Sequence, residues 1–246
     1  IMSSQNHETG MTMYFQPMAT GYQKVFGTLD TNFWCCTGSG MENFTKLQDS
    51  IYFKKSGLVI VNQYLASKVT GDGYTITQTG DLSKSDTMTF KVEGGNIGIR
   101  LKLRVPDWVK DGKTIVAFDG TEKEYKVQDG YITVPNEDIK NGAEFTVKLP
   151  MEVAAYNLPD SKDTYAFKYG PFVLSAKLGK SKQTTGSHGV AVTVPTSKAV
   201  TSDTIGIRNA ETVEEYIKKI NQNLVKAEGS MNFTLKGTNF SHPFTT

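Results

Sequence analysis

The chain has 246 residues, 38% hydrophobic and 21% charged, a length and balance that can bury a substantial core and that exclude wholesale disorder, collagen and disulfide-scaffold classes. The formal net charge is only +2, and no basic run is long enough to track a phosphate backbone, so nucleic acid is not an expected partner. The longest apolar stretches, 57–61 and 171–176, fall far short of the roughly 20 residues that cross a bilayer, so no membrane span is expected.

Residues 1–34 are rich in Gly, Thr, Gln, Asn and Met and hold no sustained period, which reads as connecting backbone. The chain opens on Ile1 with no charged and then apolar leader, as expected of a piece of a longer protein that packs on something upstream. After the adjacent Cys35 and Cys36, Ser39 and Glu42 have capping-box spacing. A helix is therefore expected to begin at Ser39, with Met41, Phe44, Leu47 and Ile51 on one face.

From Leu58 the pattern changes to short runs punctuated by Gly, Asp, Asn and Pro, the spacing of a β-sandwich. Ile97, Ile99, Leu101, Leu103 and Val105 alternate with Gly98, Arg100, Lys102 and Arg104, predicting a strand with one wet face. Similar alternation marks Met88 to Val92 and Phe145 to Leu149. Shorter candidates lie at 131–134 and 171–176, and Pro106 and Pro150 stop two of the runs. Residues 180–189 read as a surface loop. A second capping box, Thr212 with Glu215, predicts a helix carrying Val213, Tyr216, Ile217, Ile220 and Leu224 and stopped by a left-handed Gly229. The expected organisation is 1–53 as the end of a catalytic domain, 54–178 as the sandwich and 179–246 as an extension or partial further domain. The class is mainly β, an antiparallel sandwich with a small α/β carboxy-terminal segment.

Cys35 and Cys36 are the only cysteines. Their Cα atoms lie about 3.8 Å apart, below the roughly 4.4–6.8 Å of ordinary disulfides, so a mutual bridge would be strained. They are buried thiols, thiols awaiting another segment, or two ligands of a soft or borderline cation such as zinc. Two ligands do not close a tetrahedral site. His7, His188 and His242 share no metal-like spacing. Glu42 suits either a general acid or the cap, and Trp34 suits either stacking on a sugar ring or core packing.

The run from Asn32 to Asn43 (Asn-Phe-Trp-Cys-Cys-Thr-Gly-Ser-Gly-Met-Glu-Asn), continuing through Lys46 to Phe53, resembles the Cys-Cys segment of the family 127 glycoside hydrolases, the β-L-arabinofuranosidase group, and of relatives such as family 146. Glu8 to Thr12 with Tyr14 to Pro17 resembles the segment that precedes it. Leu103 to Trp108, Leu149 to Met151 and Tyr169 to Val173 resemble landmarks of that family's sandwich. The likeness covers about residues 1–178.

The resemblance implies an (α/α)6 barrel ahead of the sandwich, of which this chain carries the carboxy-terminal remnant, and a substrate among L-arabinose-containing glycans. It also implies a zinc held by three cysteines and a glutamate. By position, Cys35 is the nucleophile and a zinc ligand, and Cys36 a second ligand. The resemblance places the acid/base glutamate and the remaining ligands upstream; Glu8-Thr9-Gly10 is not the Glu-x-Cys ligand motif, because Gly10 stands where the cysteine belongs. The chain alone is thus expected to be inactive, and a secreted or periplasmic role is compatible with the family. The alternative is a non-catalytic sandwich that binds glycans or braces a neighbour, with the cysteines merely buried.

Overall fold

In the computed structural model, residues 48–94, 98–140, 142–179, 204–209 and 211–246 are described throughout, with 35–46, the backbone at 187–188 and 191–192, and positions 6, 8–11, 13 and 26. Alternating runs make ten strands: β1 (Tyr52–Lys55), β2 (Leu58–Val61), β3 (Ser67–Gly71), β4 (Tyr74–Thr79), β5 (Thr87–Gly94), β6 (Arg100–Arg104), β7 (Ile115–Phe118), β8 (Thr121–Lys123), β9 (Tyr131–Val134) and β10 (Glu144–Lys148). They form a four-stranded sheet, β1-β2-β6-β9, and a six-stranded sheet, β3-β4-β5-β10-β7-β8. Pairing is antiparallel except between β2 and β6, where Val59 is level with Leu101. The sheet begins at Tyr52, six residues before alternation becomes legible.

The predicted strand around 100–104 is present. Leu101 and Leu103 are wholly buried while Arg100 and Arg104 face water, as a half-buried strand requires. The core unites Val59, Val61, Ile76, Phe90, Ile132 and Phe145. Phe145 stacks on Phe90 at 5.2 Å between ring centroids and meets Phe118 at 5.0 Å. Gln78, a polar residue in this core, donates to the Gln63 carbonyl (3.0 Å) and to Ser67 Oγ (3.1 Å). Asp119 and Gly120, both at positive φ, form the two-residue turn between β7 and β8, the twist that tight hairpins favour.

Past Pro150 the chain builds a third sheet from β11 (Val153–Asn157), β12 (Tyr165–Tyr169) and β13 (Phe172–Ala176), joined by carboxy-terminal β16 (Leu224–Lys226), β17 (Asn232–Leu235) and β18 (Phe244–Thr245). The order is β11-β12-β13-β18-β17-β16. Before the last three strands come β14 (Ser187–His188) and β15 (Ala191–Val192), a two-stranded pair; the rest of the loop expected at 180–189 lies outside the described residues. Phe167 meets Phe244 edge to face at 5.5 Å, and Phe233 is wholly buried. Contacts divide the chain into Ser50–Ser175 with Asn209–Gly237 and Pro243–Thr246, and Ile1–Asp49 with Ala176–Arg208 and Thr238–His242.

The carboxy-terminal capping box forms as expected. Glu215 N–H donates to Thr212 Oγ1 (3.2 Å), and Thr212 N–H donates to Glu215 Oε2 (3.0 Å). The single helix expected after it does not continue to Gly229. The helix Val213–Lys218 is interrupted at Lys219, a short second helix spans Ile220–Asn223, and Leu224 enters β16. Pairing of Leu224 with Leu235 competes successfully with the helical turn. Gly229 is left-handed, but in the β16–β17 turn rather than at a helix end.

Candidate functional site

Helix α1 spans Cys35–Glu42 and tightens into a 3-10 turn at Asn43–Lys46. The start expected at Ser39 is corrected by four residues. Ser39 lies in the middle of the helix and its hydroxyl donates back to the Cys35 carbonyl at 3.3 Å, which leaves it no role as a cap. The helical run also stops short of Ile51. Asn43 Nδ2 donates to the Ser39 carbonyl (2.9 Å), Thr45 Oγ1 donates to the Glu42 carbonyl (2.6 Å), and Ser50 takes φ 63°. Ile51 is instead buried at the entry to the sandwich, where its carbonyl accepts from Asn62 N–H at 2.9 Å.

Cys35 therefore occupies the first turn of a helix, exposed and outside any disulfide. Backbone N–H groups at such an end favour an anionic sulfur. Cys36 follows it in the same turn; nothing is described of its side chain. Glu42 is exposed at the end of α1. Trp34 and His7 lie outside the described residues, and His188 is described only as backbone of β14. His242 sits 5.5 Å from the Phe240 ring. The Glu8 to Gly10 stretch forms a local turn in which Asn6 Oδ1 accepts from Glu8 N–H (2.9 Å) and Thr9 N–H (3.2 Å). Among the described residues no three His, Cys, Asp or Glu side chains gather as a metal site, so these residues do not by themselves fit a four-coordinate zinc. No helix among them is long and apolar enough to cross a membrane.

Sequence reasoning assigns no ligand role to Arg104, Asp107 or Trp108, although Leu103 to Trp108 is one of the landmarks of the resemblance. The structure places all three on one cavity of the larger unit. A strand-ending proline flanked by charge and indole was the available signal.

Two family models match the chain: "Beta-L-arabinofuranosidase, GH127 catalytic domain" over residues 1–49, and "Beta-L-arabinofuranosidase, GH127 middle domain" over residues 58–151. No curated protein matches. Among solved structures, a GH127 β-arabinofuranosidase aligns with TM-score 0.58 and 22% identity, covering 71% of this chain and 31% of its own. A GH127 β-L-arabinofuranosidase from Geobacillus stearothermophilus T6 aligns with TM-score 0.50 and 21% identity, over 57% of this chain and 23% of that one. A third, titled glycoside hydrolase, gives TM-score 0.50 at 18% identity, over 57% and 25%. The chain thus spans between 23% and 31% of the length of these three structures.

Proposed function

We propose, starting from the premise that this chain belongs to the GH127 β-L-arabinofuranosidase family, that the intact protein hydrolyses β-L-arabinofuranosidic bonds in L-arabinose-containing glycans with Cys35 as nucleophile. The observation that supports this reading is the exposed Cys35 at the start of α1, inside the segment that matches the catalytic family model.

In the proposed reaction the Cys35 thiolate forms a bond to the anomeric carbon as the glycosidic C–O bond breaks, and a general acid protonates the departing oxygen. Water, deprotonated by the same group, then displaces sulfur, so two inversions give net retention. Cys35 and Cys36 are two of the donors of a zinc site completed by residues outside this chain. Zinc, when bound, supplies the positive charge that keeps a thiol ionised at neutral pH. The 246-residue chain alone is inactive on this reading, because the general acid/base and the remaining zinc donors are assigned to residues outside it.

The test is Cys35→Ser in the intact protein, read by release of arabinose from a β-L-arabinofuranoside alongside far-ultraviolet circular dichroism. Lost turnover with retained folding supports the reading. Undiminished turnover overturns it and leaves the sandwich as a non-catalytic module.

A further inference from the structure

The three landmarks that follow the cysteines in sequence converge in space. Arg104, Pro106, Asp107 and Trp108 from the first, and Pro171 and Phe172 from the third, line one cavity of about 520 Å³. Met151, from the second, pairs with Val109 in an isolated bridge. Trp108 is half-buried and packs by its edge near Gly170, where a Cβ would come within 3.3 Å of the indole and 2.7 Å of Met151 Sδ. The absent side chain at Gly170 thus leaves room for both, and the indole is held in place beside the cavity.

The polar lining has a definite charge logic. Tyr64 Oη donates to the Arg104 carbonyl at 2.5 Å and fixes the end of β6. The Arg104 and Asp107 side chains are exposed, and among the described residues neither forms an ion pair or a side-chain hydrogen bond. Asp81, the other carboxylate on the lining, is already engaged, accepting from Ser83 N–H (2.9 Å) and Ser83 Oγ (2.6 Å). One available guanidinium and one available carboxylate, with a second carboxylate near, disfavour a phosphate. Among the described residues no cluster suits a metal ion. An indole lining the same cavity as one donor and one acceptor suits a neutral ring with an apolar face and hydroxyl edges.

We propose that this cavity is a saccharide-binding subsite on the sandwich, in which a sugar ring packs on Trp108 while its hydroxyls donate to Asp107 and accept from Arg104. It does not depend on Cys35. Only the choice of first probe rests on the proposed function, so a cello-oligosaccharide is tested beside an L-arabinofuranosyl oligosaccharide.

The experiment is calorimetric titration of the 246-residue chain with each probe. Binding with Kd on the order of 1 mM is expected, weakened roughly tenfold or more by Trp108→Ala. Because Trp108→Ala also removes packing at Gly170, Asp107→Ala and Arg104→Ala are measured too, each expected to weaken binding at least about threefold. Cys35→Ser is expected to leave binding unchanged. Binding of the cello-oligosaccharide alone upholds the subsite and counts against arabinose as its ligand. No binding of either probe at about 20 mM, or binding that survives all three cavity substitutions, overturns the proposal.

Discussion

In the sandwich, Phe90, Val92 and Leu101 are wholly buried and Phe145 is 2% exposed, whereas Cys35, Ser39, Glu42 and Thr45 in the cysteine-bearing segment are all exposed. The sandwich is held by apolar area removed from water. Helix α1 is eight residues long and includes two glycines, Gly38 and Gly40, which cost roughly 1 kcal/mol each relative to alanine in a helix interior. Stability and proposed chemistry therefore rest on different residues, and substitutions should separate them.

The sharpest separation is Cys35→Ser in the intact protein. Turnover of the intact protein is expected to fall by at least about a thousandfold, while the urea midpoint of the 246-residue chain, in which Cys35 is exposed, stays within the scatter of an exposed substitution. A joint loss of folding and turnover would break the comparison. Phe145→Ala is the converse: it empties a site between two aromatic rings, and about 3–5 kcal/mol of unfolding free energy should disappear in urea titrations.

A smaller loss, about 1 kcal/mol, is expected for Thr212→Ala, which removes one half of the capping box. Thermal unfolding of the 246-residue chain measures it. No change would mean that β16 pairing alone holds the preceding helical turns.

The smallest effect is pH-dependent. Lys123 and Tyr125 both donate to Asp138, the latter at 2.7 Å. The hydrogen bond from Lys123, and then that from Tyr125, hold the Asp138 carboxyl below its usual range. A carboxylate depressed in the folded state adds stability above its unfolded value, near pH 3.9, and that contribution is lost as pH falls through the folded value. Asp138→Asn should therefore differ from the parent sequence in urea midpoint at pH 6 and converge with it toward pH 2.

How much could be read beforehand varied with the range of the determining contacts. Leu101, Leu103, Met88 and Phe90 announced their strands, because a period of two with one buried face is a property of the strand itself. The proposed site was legible in part: Cys35 and Cys36 stood out by adjacency and context. The start of α1 was misplaced because Ser39 has cap chemistry in sequence, yet its hydroxyl back-bonds to Cys35 once the helix extends past it.

By itself the sequence determined the mainly β class, strands around 88–92, 97–105, 131–134, 145–149 and 171–176, the Thr212 cap and the singular cysteine pair. Each of these is encoded in neighbouring residues. Only the tertiary structure decided that Leu224 is a strand residue, that 153–176 pairs with the carboxy terminus, and that Arg104, Asp107, Trp108 and Phe172 share one cavity. The reason is physical: those outcomes depend on partners outside the local turn, from Leu235 opposite Leu224 to segments tens of residues away, and local propensity yields wherever ladder hydrogen bonds and buried area are supplied by another segment.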